Sequence, residues 1–287
     1  MARDPSAPLD RRIVELLAAE IDPGYRRRVT TVMRWLPPSG DPASHIVDLG
    51  CGRGFYVRYY MLLGQQAMTG VEFAPAIARR AAELNADNPN VAIVQANAAA
   101  LPLPANAYSG VILSEVLEHV DDDQTVLREA FRVLRPGAVA VITVPHQRYP
   151  WSWDPINRAL ATMGFAPVRR GPLAGIWAEH LRLYDITSLR DVVQQAGFVI
   201  EEECALLRHC LPFSHNLIYG IGKPLLEAGW LPAGFAAAVD RRRVGASAGV
   251  LALAVRAVLA VADRWNRDDE GFDVPSLSLC IKARKPN

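Results

Sequence analysis

The order of apolar runs in this chain predicts an α/β fold, a parallel sheet covered by helices on both faces. Short apolar runs at 45–49, 67–73, 91–98 and 139–145 alternate with stretches of helical composition, the pattern a parallel sheet with crossover helices requires. The first run ends in Asp48-x-Gly50-x-Gly52-x-Gly54 and passes directly into 55–63, which has the composition of a helix. The third observation is compositional: 287 residues with 51% hydrophobic and 21% charged side chains can build a sizeable core and do not match a disordered chain.

The elements follow in order. Two amphipathic stretches, 9–19 and 25–36, read as helices split by Asp22-Pro23-Gly24, and the Pro-rich loop 37–42 delivers the chain to the core. The run 45–49 is a buried strand, 67–73 a second carrying Glu72 near its end, and 91–98 a third. Leu101-Pro102-Leu103-Pro104 leads into a further apolar run from Tyr108. Asp121, Asp122 and Asp123 open a helix over 125–134, where carboxylates favourably face the positive end of the helix dipole. Arg135-Pro136-Gly137 stops it, and 139–145 is a short β-branched strand. Asp185-Ile186-Thr187-Ser188 caps a helix over 189–196, which Gly197 ends; 198–206 is a strand, and the alternating 278–284 is the last one.

A strand running through a glycine turn into a helix N-terminus makes a seat for an anionic group, because the backbone approaches closely and the helix amides point at the ligand. The dinucleotide fingerprint Gly-x-Gly-x-x-Gly needs a third glycine for close helix–strand packing, and Phe55 occupies that position. With Asp48 two residues before the first glycine, the loop resembles instead that of the class I S-adenosylmethionine (SAM)-dependent methyltransferases, in particular the small-molecule branch that includes quinone and sterol methyltransferases. The run Leu113-Ser114-Glu115-Val116-Leu117-Glu118-His119 is similar to that family's fourth-strand region, although Ser109 and Gly110 stand where Phe-Asp is common. The resemblance covers roughly 41–146 and returns at 181–205.

What the resemblance implies is a Rossmann-like, seven-stranded, mostly parallel sheet whose last strand is antiparallel, with SAM as cofactor. The glycine loop would hold the methionine half of SAM, Glu72 would accept from both ribose hydroxyls, and the end of the third strand would read the adenine. Asn97 replaces the acid expected there, so a charge-assisted bond becomes a neutral one. The cofactor-binding residues expected are Asp48, Gly50, Cys51, Gly52, Gly54, Glu72, Phe73, Asn97, Ala98, Ser114 and Glu115. Metal-dependent relatives take their ligands from separated positions, so Asp121–Asp123 are read as helix-opening residues and no metal is expected.

The implied organisation is N-terminal helices over 1–40, a SAM-binding core over 41–146, a cap insertion over 147–181, the core continued over 182–207, an apolar helical insertion over 208–275, and the last core strand over 276–287. The first insertion holds Tyr149, Trp151, Trp153 and Trp177 with several polar residues, and aromatic walls with a few polar groups are what a small-molecule pocket needs. In the second, 211–230 and 244–262 are mostly apolar, but Arg256 interrupts the latter. A membrane span is penalised by a central Arg, which leaves a buried cap helix or a helix lying on a membrane surface over 211–262. Either suits a lipophilic or lipid-linked acceptor.

If the acceptor is a hydroxyl, methyl transfer needs a base. The candidate catalytic residues are His119, His146 and His180, and position just beyond the fifth strand favours His146. A net charge of +1 gives no case for nucleic acid, and the arginine clusters 26–28, 169–170 and 241–243 are read as solvated helix faces. The 4 cysteines have no metal-ligand spacing and are read as small buried residues of a reducing compartment. No signal peptide is visible after Met1, so the expected location is cytoplasmic, with membrane association as a variant. Two other classes remain: a catalytically silent SAM-binding protein, and a nicotinamide-dependent oxidoreductase, which Phe55 disfavours.

Overall fold

The computed structural model describes residues 8–18, 20–171, 173–214, 261–266 and 271–287, with the single positions 225, 228, 230, 257 and 258. Seven strands form one sheet: β1 (His45–Leu49), β2 (Ala67–Glu72), β3 (Val91–Gln95), β4 (Tyr108–Ser114), β5 (Leu134–Pro145), β6 (Val199–Leu206) and β7 (Ser278–Arg284). Their order is β3-β2-β1-β4-β5-β7-β6. The first five are parallel to their neighbours, and β7 runs antiparallel to both β5 and β6, between which it inserts. The chain builds outward from β1 to β3 on one side, then crosses to β4 on the other. The reversal lies between β1 and β4, and an open α/β sheet binds ligands at the carboxyl ends of its strands at such a point.

Strand alternation sorts the buried side chains onto two faces. Ile46, Ile112 and Val141 pack with α1 (Leu9–Leu16), α2 (Pro23–Trp35) and α3 (Phe55–Leu63). Val47, Leu49, Val111, Leu113, Ala140 and Ile142 pack with α5 (Asp123–Val133) and α7 (Ile186–Gln195) on the other face. Each fully buried aliphatic side chain contributes about 1.5–3 kcal/mol relative to exposure. The remaining helix of the core, α4 (Pro75–Leu84), follows β2. Caps agree with the sequence: Asp122 Oδ1 accepts from Thr125 N at 2.9 Å, and Asp185 with Ser188 forms a reciprocal capping box. Strand β3 ends at Gln95, so Asn97 and Ala98 lie on the loop after it rather than within the strand.

The first insertion carries α6 (Pro155–Thr162) and a 3-10 turn, Gly175–Trp177. Asp154 ties them together. Its carboxylate is fully buried and accepts from Asn157 N at 3.2 Å, Asn157 Nδ2 at 2.8 Å and Ile176 N at 3.1 Å. Asp154→Ala leaves those donors without their acceptor, and unsatisfied buried groups are costly. We expect a loss of about 2 kcal/mol in urea denaturation; a loss within experimental error would show that the knot is not stabilising. The sequence reading made Tyr149, Trp151, Trp153 and Trp177 pocket walls. That is corrected for two of them: Tyr149 and Trp153 are buried in a small core with Ile176, Leu207 and Leu277. Trp151 is exposed.

Of the apolar stretches 211–230 and 244–262, only 211–214, 225, 228, 230, 257, 258, 261 and 262 are among the described residues. The ends of that insertion are described. Asn266 Oδ1 accepts from Arg208 N at 2.6 Å and His209 N at 2.8 Å. Arg27 Nε meets Asp263 Oδ1 at 2.6 Å, and Arg26 pairs with the same carboxylate. The reading of 26–28 as a solvated face is therefore overturned, because all three guanidinium groups find carboxylates inside the fold. No helix among the described residues is long and apolar enough to cross a membrane.

Candidate functional site

The carboxyl ends of β1, β2 and β4 bring together Asp48, the glycine loop, Glu72, Ser114 and Glu115. Two glycines in the loop do different work. A Cβ on Gly50 would lie 2.6 Å from Val116 Cγ2, so the loop after β1 packs closely on the loop after β4. Gly52 has φ +53, and a Cβ there would meet nothing within 4 Å. Its requirement is backbone conformation, beside open space that a ligand can fill.

Glu72 closes the loop. Its Oε2 accepts from Gly52 N at 3.0 Å and its Oε1 from Ala74 N at 2.9 Å. The adjoining Phe73 is 70% exposed, a bare ring at the end of β2. Asp48 shares the face of Ile46, 1% exposed, and its Oδ2 has no hydrogen-bond partner. Burial, and then the charge of Glu72, pushes its carboxyl well above the usual range. Cys51 is buried against Gly70, and its thiol is pushed up by burial and by Asp48 and Glu72.

Across the switch point, Ser114 Oγ lies 3.0 Å from Thr143 Oγ1 and 3.2 Å from Tyr56 OH. Thr143 Oγ1 donates to Glu115 Oε1 at 3.1 Å, and Arg28 Nη1 stands 3.4 Å from Glu115 Oε2. Glu115 itself has φ 57, a left-handed conformation uncommon outside glycine. Tyr56, Thr143 and Arg28 are participants that sequence reasoning missed. Thr143 sits inside a run read only as a strand, and Arg28 inside a run of arginines; their partners are visible only once β4 and β5 are side by side.

These residues fit a cation-bearing ligand better than a pyrophosphate. The loop amide that would meet a phosphate, Gly52 N, is already held by Glu72, and three carboxylates surround the seat. Asp48 supplies a buried acceptor still lacking a donor, which an ammonium group would satisfy.

The other expected residues separate. Asn97 is exposed, and its Oδ1 accepts from Ala99 N at 2.9 Å in a local turn. Ala98 packs partly against the core. His119 and His180 come together beyond β4, ring centroids 4.7 Å apart, beside Glu118. His146 does not join them. It is 1% exposed, its Nδ1 lies 2.9 Å from Ser276 Oγ, and its pKa is lowered to about 4, first by burial and then by Arg148. The preference for His146 as base is corrected on that ground: a buried imidazole with so low a pKa accepts a proton poorly at neutral pH.

A family model described as a methyltransferase domain matches residues 47–142, from β1 through most of β5. A probable S-adenosylmethionine-dependent methyltransferase of Mycolicibacterium smegmatis is 28% identical over 167 residues, 55% of this chain and 52% of that protein. A ubiquinone/menaquinone biosynthesis C-methyltransferase of Cronobacter sakazakii is 35% identical over 118 residues, 38% of this chain and 46% of that one. The chain spans about half the length of the curated relatives it matches. Among solved structures, phosphoethanolamine N-methyltransferase 2 of Haemonchus contortus has a TM-score of 0.56 at 16% identity, covering 97% of this chain and 58% of that one. The [4+2]-cyclase SpnF has a TM-score of 0.53 at 18% identity, covering 91% and 80%. Both share the fold.

Proposed function

We propose that the chain, whose residues 47–142 match a methyltransferase-domain model, is a class I SAM-dependent methyltransferase that binds SAM at the β1–β4 switch point and transfers its methyl group to a small, lipophilic or lipid-linked acceptor. The observation that carries the cofactor assignment is the buried, unpartnered Oδ2 of Asp48 under a glycine loop whose amide is held by Glu72. Asp48 would meet the ammonium of the methionine moiety, Glu72 the ribose hydroxyls, and the exposed Phe73 ring the flat adenine. Ser114 and Glu115 would border the methyl-bearing sulfur, where Glu115 and Asp48 favour a positive charge.

When bound, SAM supplies an already activated methyl group, so the protein's share is alignment of the acceptor and, for a hydroxyl, help with its proton. The acceptor side is the strand-end region beyond β4 and β5, where the first insertion presents exposed Trp151, Met163, Phe165 and Leu181. Those exposed apolar side chains support the lipophilic reading of the acceptor.

Calorimetric titration should show SAM binding with one site and no heat of binding with NAD; the reverse order would refute the cofactor assignment. With methyl-labelled SAM and a lipid-plus-polar metabolite extract, label should appear in the apolar fraction. Label confined to polar products would refute the acceptor class, and binding without any transfer would mark a silent SAM-binding protein.

A further inference from the structure

Beyond β4, the 3-10 turn Leu117–His119 faces the end of the first insertion, and Glu118, His119 and His180 meet there. Glu118 is fully buried, and neither of its carboxylate oxygens has a hydrogen-bond partner. Its Oε1 lies 3.8 Å from His119 Nε2 and 3.9 Å from His180 Nε2, too far for a hydrogen bond to either. Protonation would remove its charge yet still leave a buried hydroxyl without an acceptor. The carboxylate thus faces two imidazole nitrogens at ion-pair distance without a hydrogen bond to either.

We infer that Glu118, His119 and His180 form a binding site for one divalent first-row transition cation, with coordination positions left open for an oxygen ligand. Two imidazoles and one carboxylate are a recurring donor set for such ions, and three protein ligands leave room for water or substrate. One candidate ligand atom from each residue lies within 4.8 Å of the others. A cation at about 2.1 Å from each ligand would place them about 3.0–3.5 Å apart, so the Glu118–histidine pairs need to close by roughly half an ångström and the widest pair by up to about 1.5 Å.

The donors are also held ready. His119 Nδ1–H donates to Glu179 O at 3.0 Å, which fixes the tautomer and leaves Nε2 as a lone pair toward Glu118. This outer-shell contact is typical of metal-binding histidines. Leu181 N donates to Glu118 O at 2.8 Å, and Arg182 Nη2 to Asp121 O at 2.8 Å, so the strand of chain bearing His180 is fastened to the 3-10 turn. Arg169 caps His180 O at 3.0 Å while stacking on Trp177, and so points its charge at the carbonyl of His180.

This site differs from the sequence expectation of no metal, and from the Asp121–Asp123 run. Two of those acids are otherwise engaged: Asp122 caps α5, and Asp123 accepts from Tyr184 OH at 2.6 Å and meets Arg182 Nη1 at 3.1 Å. The cation site does not depend on methyl transfer. If that reading also holds, an acceptor hydroxyl bound at the open position would have its pKa lowered by the cation, and no histidine base would be needed.

The test uses the full chain, treated with chelator, dialysed and titrated without SAM. Cobalt(II) should bind with one equivalent and develop visible absorption, and zinc should displace it. Glu118→Gln and His180→Ala should each weaken cobalt binding by about a hundredfold or more, beyond the loss typical of outer-shell changes, with the circular dichroism unchanged. Cobalt binding that survives both substitutions, or none to the unsubstituted chain at millimolar cobalt, overturns the site. A readout needing no variant guards against misfolding: zinc should protect His119 and His180, but not the exposed His209, from diethylpyrocarbonate. Equal modification with and without zinc overturns it too. Because these measurements omit SAM, their outcome is separate from that of the labelling experiment.

Discussion

Glu72→Ala should raise the Kd for SAM about a hundredfold, with Asn97→Ala raising it less than tenfold. Glu72 holds two backbone amides, Gly52 N and Ala74 N, and it is the proposed acceptor of the ribose hydroxyls. Hydrogen bonds to a charged acceptor are worth about 1.5–3 kcal/mol each, against about 1 kcal/mol for neutral ones. Losing the carboxylate therefore costs both the ligand contact and the tether that shapes the loop. Asn97 is neutral and exposed, and its oxygen already serves Ala99 N. Glu72→Gln should fall between the two, because it retains an acceptor for one amide. The measurement is calorimetric titration of the three variants beside the parent chain. Equal losses at 72 and 97, or a larger one at 97, would refute the assignment of Glu72.

His146 should make the protein less stable as pH falls from about 6.5 to about 4. The folded pKa is lowered to about 4, while the unfolded chain has the ordinary value of about 6.5. Above both values the imidazole is neutral in both states, and it contributes no pH dependence. Between them the unfolded chain binds a proton that the folded one does not, so stability drops with falling pH. Below both, the loss is complete, on the order of 3 kcal/mol. The raised carboxyls of Asp48 and Glu118 work in the opposite direction over acid pH. The quantity to measure is therefore the difference between the parent and His146→Asn, which retains a polar atom near Nδ1 for Ser276. Urea denaturation at a series of pH values should show the two curves converging toward acid. Parallel curves would mean that His146 takes up its proton as readily folded as unfolded.

The sheet was legible because its evidence is local and periodic. Strands 45–49 and 278–284 and helix 55–63 stand where their apolar patterns place them. The Asp185/Ser188 cap was readable because capping uses residues three apart. That Asp48, the loop glycines and Glu72 lie close together was readable for a similar reason, since one βαβ unit fixes their relation. What escaped depends on distant partners. Arg28 looked like one of three surface arginines until α2 lay beside Glu115. Tyr149 and Trp153 looked like pocket walls until Leu207 and Leu277 covered them. His146 had the right place in sequence, but Ser276, far along the chain, buries and binds it. Glu118 was seen as part of a family-like Leu-Glu-His run, yet its meeting with His180 requires the first insertion to fold back.

The antiparallel strand β7 sets an order of events for the nascent chain. β5 pairs with β7 along Val139 to Pro145, and β6 with β7 along Val199 to Leu206; no ladder joins β5 to β6. Until residues 278–284 leave the ribosome, β5 presents an unpaired edge, and β6 has no place in the sheet. The half built from β1 to β5 can assemble during synthesis from nearby pairings, whereas the other half waits for a distant one, which is entropically slow. In that interval the open edge of β5 is a template for another chain. The cofactor half of the molecule is thus made early, and the half that completes the sheet is sealed last, by a single strand sliding between two others.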